Sequence, residues 1–175
     1  MVLLEKLKDE IEILPTNRED IHPIILKHYL QKWPIHVSNI YGVYHKTSEG
    51  RELIGMAIYG YPIESAVNSL NANIHRDEVL ELKRLFIEDI PSLPHIESYV
   101  IAKTLKMIKQ EMPTVKVVIT FADNKQGHLG TIYQATNAIY LGKSSGQLHK
   151  YAYILRGNLN NLRSRLKAKS YPKEN

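Results

Sequence analysis

The 175 residues contain no cysteine. That excludes disulfides, thiolate zinc sites, iron–sulfur clusters and a cysteine nucleophile together, and it suits a reducing compartment. Only two phenylalanines and one tryptophan occur, against eleven tyrosines, so most of the aromatic surface carries a hydroxyl. No apolar run approaches the ~20 residues that a membrane-spanning helix needs. The opening Met1-Val2-Leu3-Leu4-Glu5-Lys6 turns charged too early for a secretory leader. The expectation is therefore a cytoplasmic chain with no membrane contact. Internal repeats and low-complexity segments are missing as well. What remains is an ordinary globular composition, 43% hydrophobic and 23% charged, long enough for one domain with a real core.

Charge is unevenly placed. The formal net charge is +5, and residues 156–175 hold six bases and one acid, so the whole excess lies in the last twenty residues. Residues 1–155 are expected to form the catalytic domain and 156–175 a basic tail. Clustered Lys and Arg are the footprint of a polyanion contact, because they release counterions from phosphates. Arg156, Arg163, Arg165 and Lys167 are candidate contacts to a polyanion on that ground. A solvated basic end that only aids solubility has the same composition.

Periodicity supplies the elements. Leu3, Leu7 and Ile11 fit a short amphipathic helix or an extended arm. Glu19 to Lys32 reads as a helix with Pro23 near its first turn. Ile40–His45 and Leu53–Tyr61 flank the polar, glycine-containing 46–51 and read as a hairpin. The segment 62–76 is loop-like, and 79–87 is a strand. Glu97–Met112 is the clearest helix, with Ile101, Leu105, Ile108 and Met112 on one face. Val115–Phe121 is apolar enough to be a central strand. A polar turn, a short helix over 131–137 and two strands, 139–141 and 151–155, complete the chain. This order suits an α/β fold: a mixed central sheet with helices on both faces, the long helix joining two parallel strands. It is also the order of acyltransferase (GNAT)-like folds.

The densest polar stretch runs Phe121-Ala122-Asp123-Asn124-Lys125-Gln126-Gly127-His128-Leu129-Gly130-Thr131-Ile132-Tyr133-Gln134-Ala135-Thr136-Asn137. An acid just past a buried strand stands where open α/β sheets place their ligands. Gly127 and Gly130 allow tight backbone there. The plain structural alternative is a strand-to-helix turn in which Asp123 caps an amide, His128 is solvated and Tyr133 packs.

This stretch resembles the motif of the phage Mom proteins: aromatic-Ala-Asp, a gap, Gly-His-x-Gly-x-x-Tyr-Gln-Ala-x-Asn, then an aromatic and Leu-Gly, met here by Tyr140-Leu141-Gly142. Upstream, His28-Tyr29, Gly55 to Pro62, Glu81-Leu82-Lys83-Arg84-Leu85 and Glu97-Ser98 match as well, so the resemblance covers about residues 20–155. It implies an acetyltransferase-like enzyme that places a small amide-bearing group, carbamoylmethyl or methylcarbamoyl, on adenine N6 in phage DNA and so protects it from restriction. It implies functional roles for His28, Tyr29, Arg84, Asp123 and Tyr133, with Ser98 a weaker match. Gln134 and Asn137, in the same motif, are candidate substrate contacts. The resemblance also implies an iron ion and a donor derived from acetyl-CoA or another small-group source. His28 and His128, with Asp123, would make a two-histidine, one-carboxylate metal set if the fold gathers them.

One departure bears on the donor. Acetyltransferases of this fold cradle the CoA diphosphate in a Gly-rich loop before the long helix. The corresponding Glu88-Asp89-Ile90-Pro91-Ser92-Leu93-Pro94-His95 has no glycine, two prolines and two acids. Two other readings stay open beside the DNA-modifying one: an acyl-CoA-dependent N-acyltransferase on a small amine or protein, and a non-catalytic nucleic-acid-binding protein.

Overall fold

The computed structural model describes residues 2–70, 73–157 and 166–173. The start of the chain is both things its spacing allows: helix α1 (Val2–Glu10) runs directly into strand β1 (Ile11–Pro15). There follow α2 (His22–Ile25), β2 (Val37–Thr47), β3 (Gly50–Gly60), α3 (Glu64–Asn68), β4 (Val79–Ile87), α4 (Ile96–Glu111), β5 (Val117–Ala122), α5 (Thr131–Ala135), β6 (Ile139–Lys143) and β7 (His149–Ile154). The seven strands form a mixed sheet in the order β1-β2-β3-β4-β5-β7-β6. No described helix is long and apolar enough to cross a membrane.

The chain divides into two compact units, residues 1–60 with 83–104 and residues 61–82 with 105–175. In the first, β2 and β3 pair antiparallel from Val37↔Gly60 to Thr47↔Gly50, as the hairpin pattern predicts. Ser48 and Glu49 form the turn, where the Thr47 hydroxyl accepts the Glu49 N–H at 3.3 Å. From Ile54 to Gly60 every residue of β3 is buried. Its Met56 and Ile58 pack with Ile21, Ile24 and Ile25, and Trp33, Val37, Ile40, Leu53 and Phe86 close round them. A buried polar tie joins β3 to α4: the Tyr59 and Thr104 hydroxyls lie 2.7 Å apart. Thr104 Oγ1 also donates to Val100 O at 2.8 Å within α4.

The helix expected over 19–32 shrinks to the single turn α2. Tight i→i+3 bonds replace its continuation: Lys27 N–H to Ile24 O, His28 N–H to Ile25 O and Gln31 N–H to His28 O, each 3.0–3.1 Å. Gln31 takes φ +47, which no helix interior allows. Coiling tightly buries Ile21, Ile24, Ile25 and His28 without the full stripe a long helix requires.

In the second unit β5 is the centre. It pairs parallel with β4, Val79↔Val117 to Leu82↔Thr120, and antiparallel with β7, Val117↔Ile154 to Ala122↔His149. The parallel pair joined by α4 is the arrangement the element order predicts. Val79, Val117, Ile119 and Ala152 form its core with Val67, Leu70 and Leu166. Leu166 lies past the expected boundary at residue 155. Lys169 N–H likewise donates to Tyr140 O at 2.8 Å, and the Tyr171 hydroxyl to Ala138 O at 2.6 Å. These three residues of the basic end are thus built into the unit. The segment read as a loop contains α3, whose C-terminal Ala66 carbonyl accepts from the buried Lys150 ammonium at 3.2 Å. Burial holds the Lys150 pKa below the ordinary lysine value.

Candidate active site

At the end of β5 the chain turns sharply. The Asp123 carboxylate accepts the Lys125 N–H at 2.9 Å, and its backbone carbonyl accepts from Gln126 and His128. Asp123 therefore does what the plain structural alternative expects of it, capping an amide. One carboxylate oxygen, Oδ1, is engaged in that bond. Gly127 at φ +74 and Gly130 at φ +78 carry the turn into α5.

A tyrosine of the neighbouring strand holds this turn from below. The buried Tyr151 hydroxyl donates to the Leu129 carbonyl and accepts from the Gln134 side-chain amide at 3.1 Å. Its ring lies under Gly130, where a Cβ would come within 2.4 Å of it. The half-buried Tyr133 ring is 5.5 Å from the same Tyr151 ring. Two positions along β7, on the same face, the Tyr153 hydroxyl is 2.6 Å from Thr136 Oγ1 at the end of α5. Tyr151 and Tyr153 thus fasten the helix that presents Tyr133. Burial pushes the Tyr151 pKa up, so the hydroxyl stays protonated and can donate. Sequence reasoning missed Tyr151; its only signal was membership of the Tyr151–Leu155 strand. Gln134 turns its amide inward to Leu129 O and Tyr151, while Asn137 is exposed at φ +61.

Beside this lies a second polar pair. Tyr140 OH and His149 Nδ1 are 2.8 Å apart, and His149 Nε2, also buried, has no hydrogen-bond partner among the described residues. Burial, with Lys143 adding to it, lowers the His149 pKa from its ordinary 6.5. The unfolded chain then takes up a proton first as pH falls. Stability should be full above pH 6.5 and fall as pH drops through that value toward the lower folded pKa. Melting temperature measured from pH 8 to 5 should show this drop, and His149→Gln should flatten it; equal slopes would remove His149 as the cause.

The other candidates belong to the first unit. His28 is buried, its Nδ1 accepts the Leu30 N–H at 3.1 Å, and its ring stacks on Tyr29 at 4.5 Å. Tyr29 is half exposed. Arg84 in β4 directs Nη1 to Lys83 O at 2.6 Å and Nη2 to Lys32 O at 3.4 Å. Ser98 lies half-buried in the first turn of α4. Among the described residues no group of three or more His, Asp or Glu side chains is placed to hold a metal ion. His28 belongs to the first unit, and Asp123 and His128 to the second.

Of the expected DNA contacts, Arg156 donates from Nε to Val115 O at 3.1 Å and from Nη2 to Lys109 O in the last turn of α4, a favourable place for a cation. Lys167 is exposed. Arg163 and Arg165 lie outside the described residues.

Comparison with known proteins sets this geometry in a family. The model of the Mom protein family matches residues 10–150, from β1 to the start of β7 and across the whole Asp123–Asn137 motif. This chain belongs to the Mom family. Over 136 residues it is 32% identical to the methylcarbamoylase Mom of Escherichia phage Mu, an alignment covering 71% of this chain and 50% of that protein. The chain thus spans about half the length of the curated Mom relative it matches. Among solved structures, the Mom chain resembles Arabidopsis thaliana NAA60 in complex with acetyl-CoA, with 15% identity, a TM-score of 0.55, and 82% and 99% of the two chains covered. It also resembles aminoglycoside acetyltransferase AAC(6')-Ib in complex with coenzyme A and kanamycin, with 10% identity, a TM-score of 0.57, and 82% and 94% covered. At those identities the likeness shows the fold: this Mom chain has the acyltransferase fold of the GNAT enzymes.

Proposed function

We propose that this Mom-family chain is a DNA-modifying transferase that adds a small amide-bearing group, carbamoylmethyl or methylcarbamoyl, to N6 of adenine in phage DNA and so shields it from host restriction. The observation that carries the reading is the family match across the Asp123–Asn137 motif, on a turn that Tyr151 fastens. The identity to a methylcarbamoylase supports the nature of the group.

Adenine N6 is a weak nucleophile because its lone pair is delocalised into the ring, so a base must take its proton as the new bond forms. Asp123 is the acceptor in this reading: its Oδ1 is held by the Lys125 amide, and Oδ2 takes the N6 proton. Tyr133 orients the base or donates to the leaving group. Tyr29, half exposed and stacked on His28, offers a ring face to an adenine that leaves the duplex stack, a step costing about a few kcal/mol. Arg84 supplies charge to a phosphate or carboxylate. Mass spectrometry of nucleosides from the DNA of cells expressing the chain tests the reading: a new adenine derivative is the expected result, and unmodified adenine would overturn it.

The fold likeness favours a second reading, an N-acyltransferase on a small amine or protein, which would appear as acylated amine in the same cells with adenine unchanged.

Double-stranded DNA is the proposed partner, held by the basic end. Deleting that end would remove Leu166 from the core, so charge removal is the cleaner test. The triple variant Arg163→Gln, Arg165→Gln, Lys167→Gln should flatten the slope of log affinity against log salt by about 2–3, near 0.9 for each phosphate no longer neutralised. An unchanged slope would leave the basic end as a solubility feature.

A further inference from the structure

The strand-to-helix connection between β4 and α4 is where this fold offers an anion its best seat: α4 is a crossover helix of 16 residues following the carboxyl end of a parallel strand. A diphosphate held there needs several free backbone N–H groups and no competing negative charge. The connection thins the supply of N–H groups and adds acids. Pro91 and Pro94 have no N–H. The Glu88 N–H is spent on Ile54 O and the Leu93 N–H on Ile90 O, both at 2.8 Å. The connection lines an open cavity of about 290 Å³ to which Glu88, Asp89 and Glu97 contribute. Two lysines approach, and both are engaged: Lys27 pairs with Glu88, and Lys6 donates to Ser92 O at 3.0 Å and lies 3.9 Å from Glu10. His95, the remaining polar neighbour, stands at φ +66 just before the helix.

We infer that this connection rejects a diphosphate, so the donor of the transferred group is not a CoA thioester held there. The inference narrows the donor of the reaction proposed above and rests on that reading. The donor's recognition element is instead a group without a dense negative charge. The lining holds Glu88, Asp89 and Glu97 and no lysine or arginine, and the nearby Lys27 is already held by Glu88, so a diphosphate would meet a net negative surface.

Calorimetry on the full chain tests this with coenzyme A, acetyl-CoA and phosphate-free pantetheine. Coenzyme A should bind no more than about threefold tighter than pantetheine. The triple variant Glu88→Gln, Asp89→Asn, Glu97→Gln, checked for folding by its melting curve, should gain affinity for coenzyme A and none for pantetheine. Coenzyme A binding tenfold or more tighter than pantetheine in the parent chain would overturn the inference, as would turnover of purified protein and DNA with acetyl-CoA alone. Nucleoside mass spectrometry separates the two failures: modified adenine with tight coenzyme A binding sinks only this inference, and weak coenzyme A binding without modified adenine sinks only the proposed reaction.

Discussion

Asp123→Asn and Tyr133→Phe should each fold as the parent chain does and lose about 10²-fold or more of adenine modification, the usual worth of a positioned acid or base being 10²–10⁴-fold. Both substitutions are small. An asparagine oxygen at position 123 can still accept the Lys125 N–H, so the turn keeps its cap while the charge and most of the basicity go. A phenylalanine at 133 keeps the ring contact with Tyr151 and removes only the hydroxyl. Volume-conserving changes of this kind cost under about 1.5 kcal/mol. Modified adenine measured in cells expressing each variant, beside melting curves of the purified proteins, gives the answer. Folded variants with near-normal modification would falsify the assignment of this site, whatever the family.

Gly130→Ala should be strongly damaging for a single added methyl group. At φ +78 an alanine carries left-handed strain of about 1–2 kcal/mol. Its Cβ would also lie 2.4 Å from the Tyr151 ring. That ring is fully buried, packed against Tyr133 and Tyr140, and pinned through its hydroxyl, so it cannot step aside. Overpacking adds about 1–3 kcal/mol. For a chain of this size the sum lowers the melting temperature by about 5–15 °C. Tyr151→Phe probes the same junction differently: it keeps the ring and leaves the Leu129 carbonyl and the Gln134 amide with only their bond to each other, so activity should fall while Gly130 keeps its space. A Gly130→Ala protein melting within about 2 °C of the parent would show that the turn can shift freely, and Tyr151 would lose its role as its anchor.

Elements with a strong repeat were legible in the sequence. The hairpin of β2 and β3, the strand β4 and the helix α4 each carry a sustained apolar pattern, and all lie within a few residues of where the pattern puts them. The expected helix over 19–32 misled because Ile21, Ile24, Ile25 and His28 satisfy a 3.6-residue period and equally a succession of tight turns. Helix α3 has only Val67 and Leu70 to bury, too few to announce a period. At the site, Asp123 and Tyr133 were visible because the motif is contiguous. Tyr151 was not, because its partners Leu129 and Gln134 come from a different part of the chain and only strand pairing brings them to it.

The strand order has a consequence for how the chain comes to be made. β7 follows β6 in the sequence, yet it lies between β5 and β6. The hairpin of β2 and β3 can pair while it emerges, since its contacts are local. β5 cannot: until residue 154 is released it has β4 on one side and an open, largely apolar strand edge on the other. An open apolar edge is a template for pairing with other chains. The sheet of the second unit therefore cannot close until β7 has emerged. The yield of usable protein in a cell follows how long that edge waits for its last strand, and not only how stable the finished fold is.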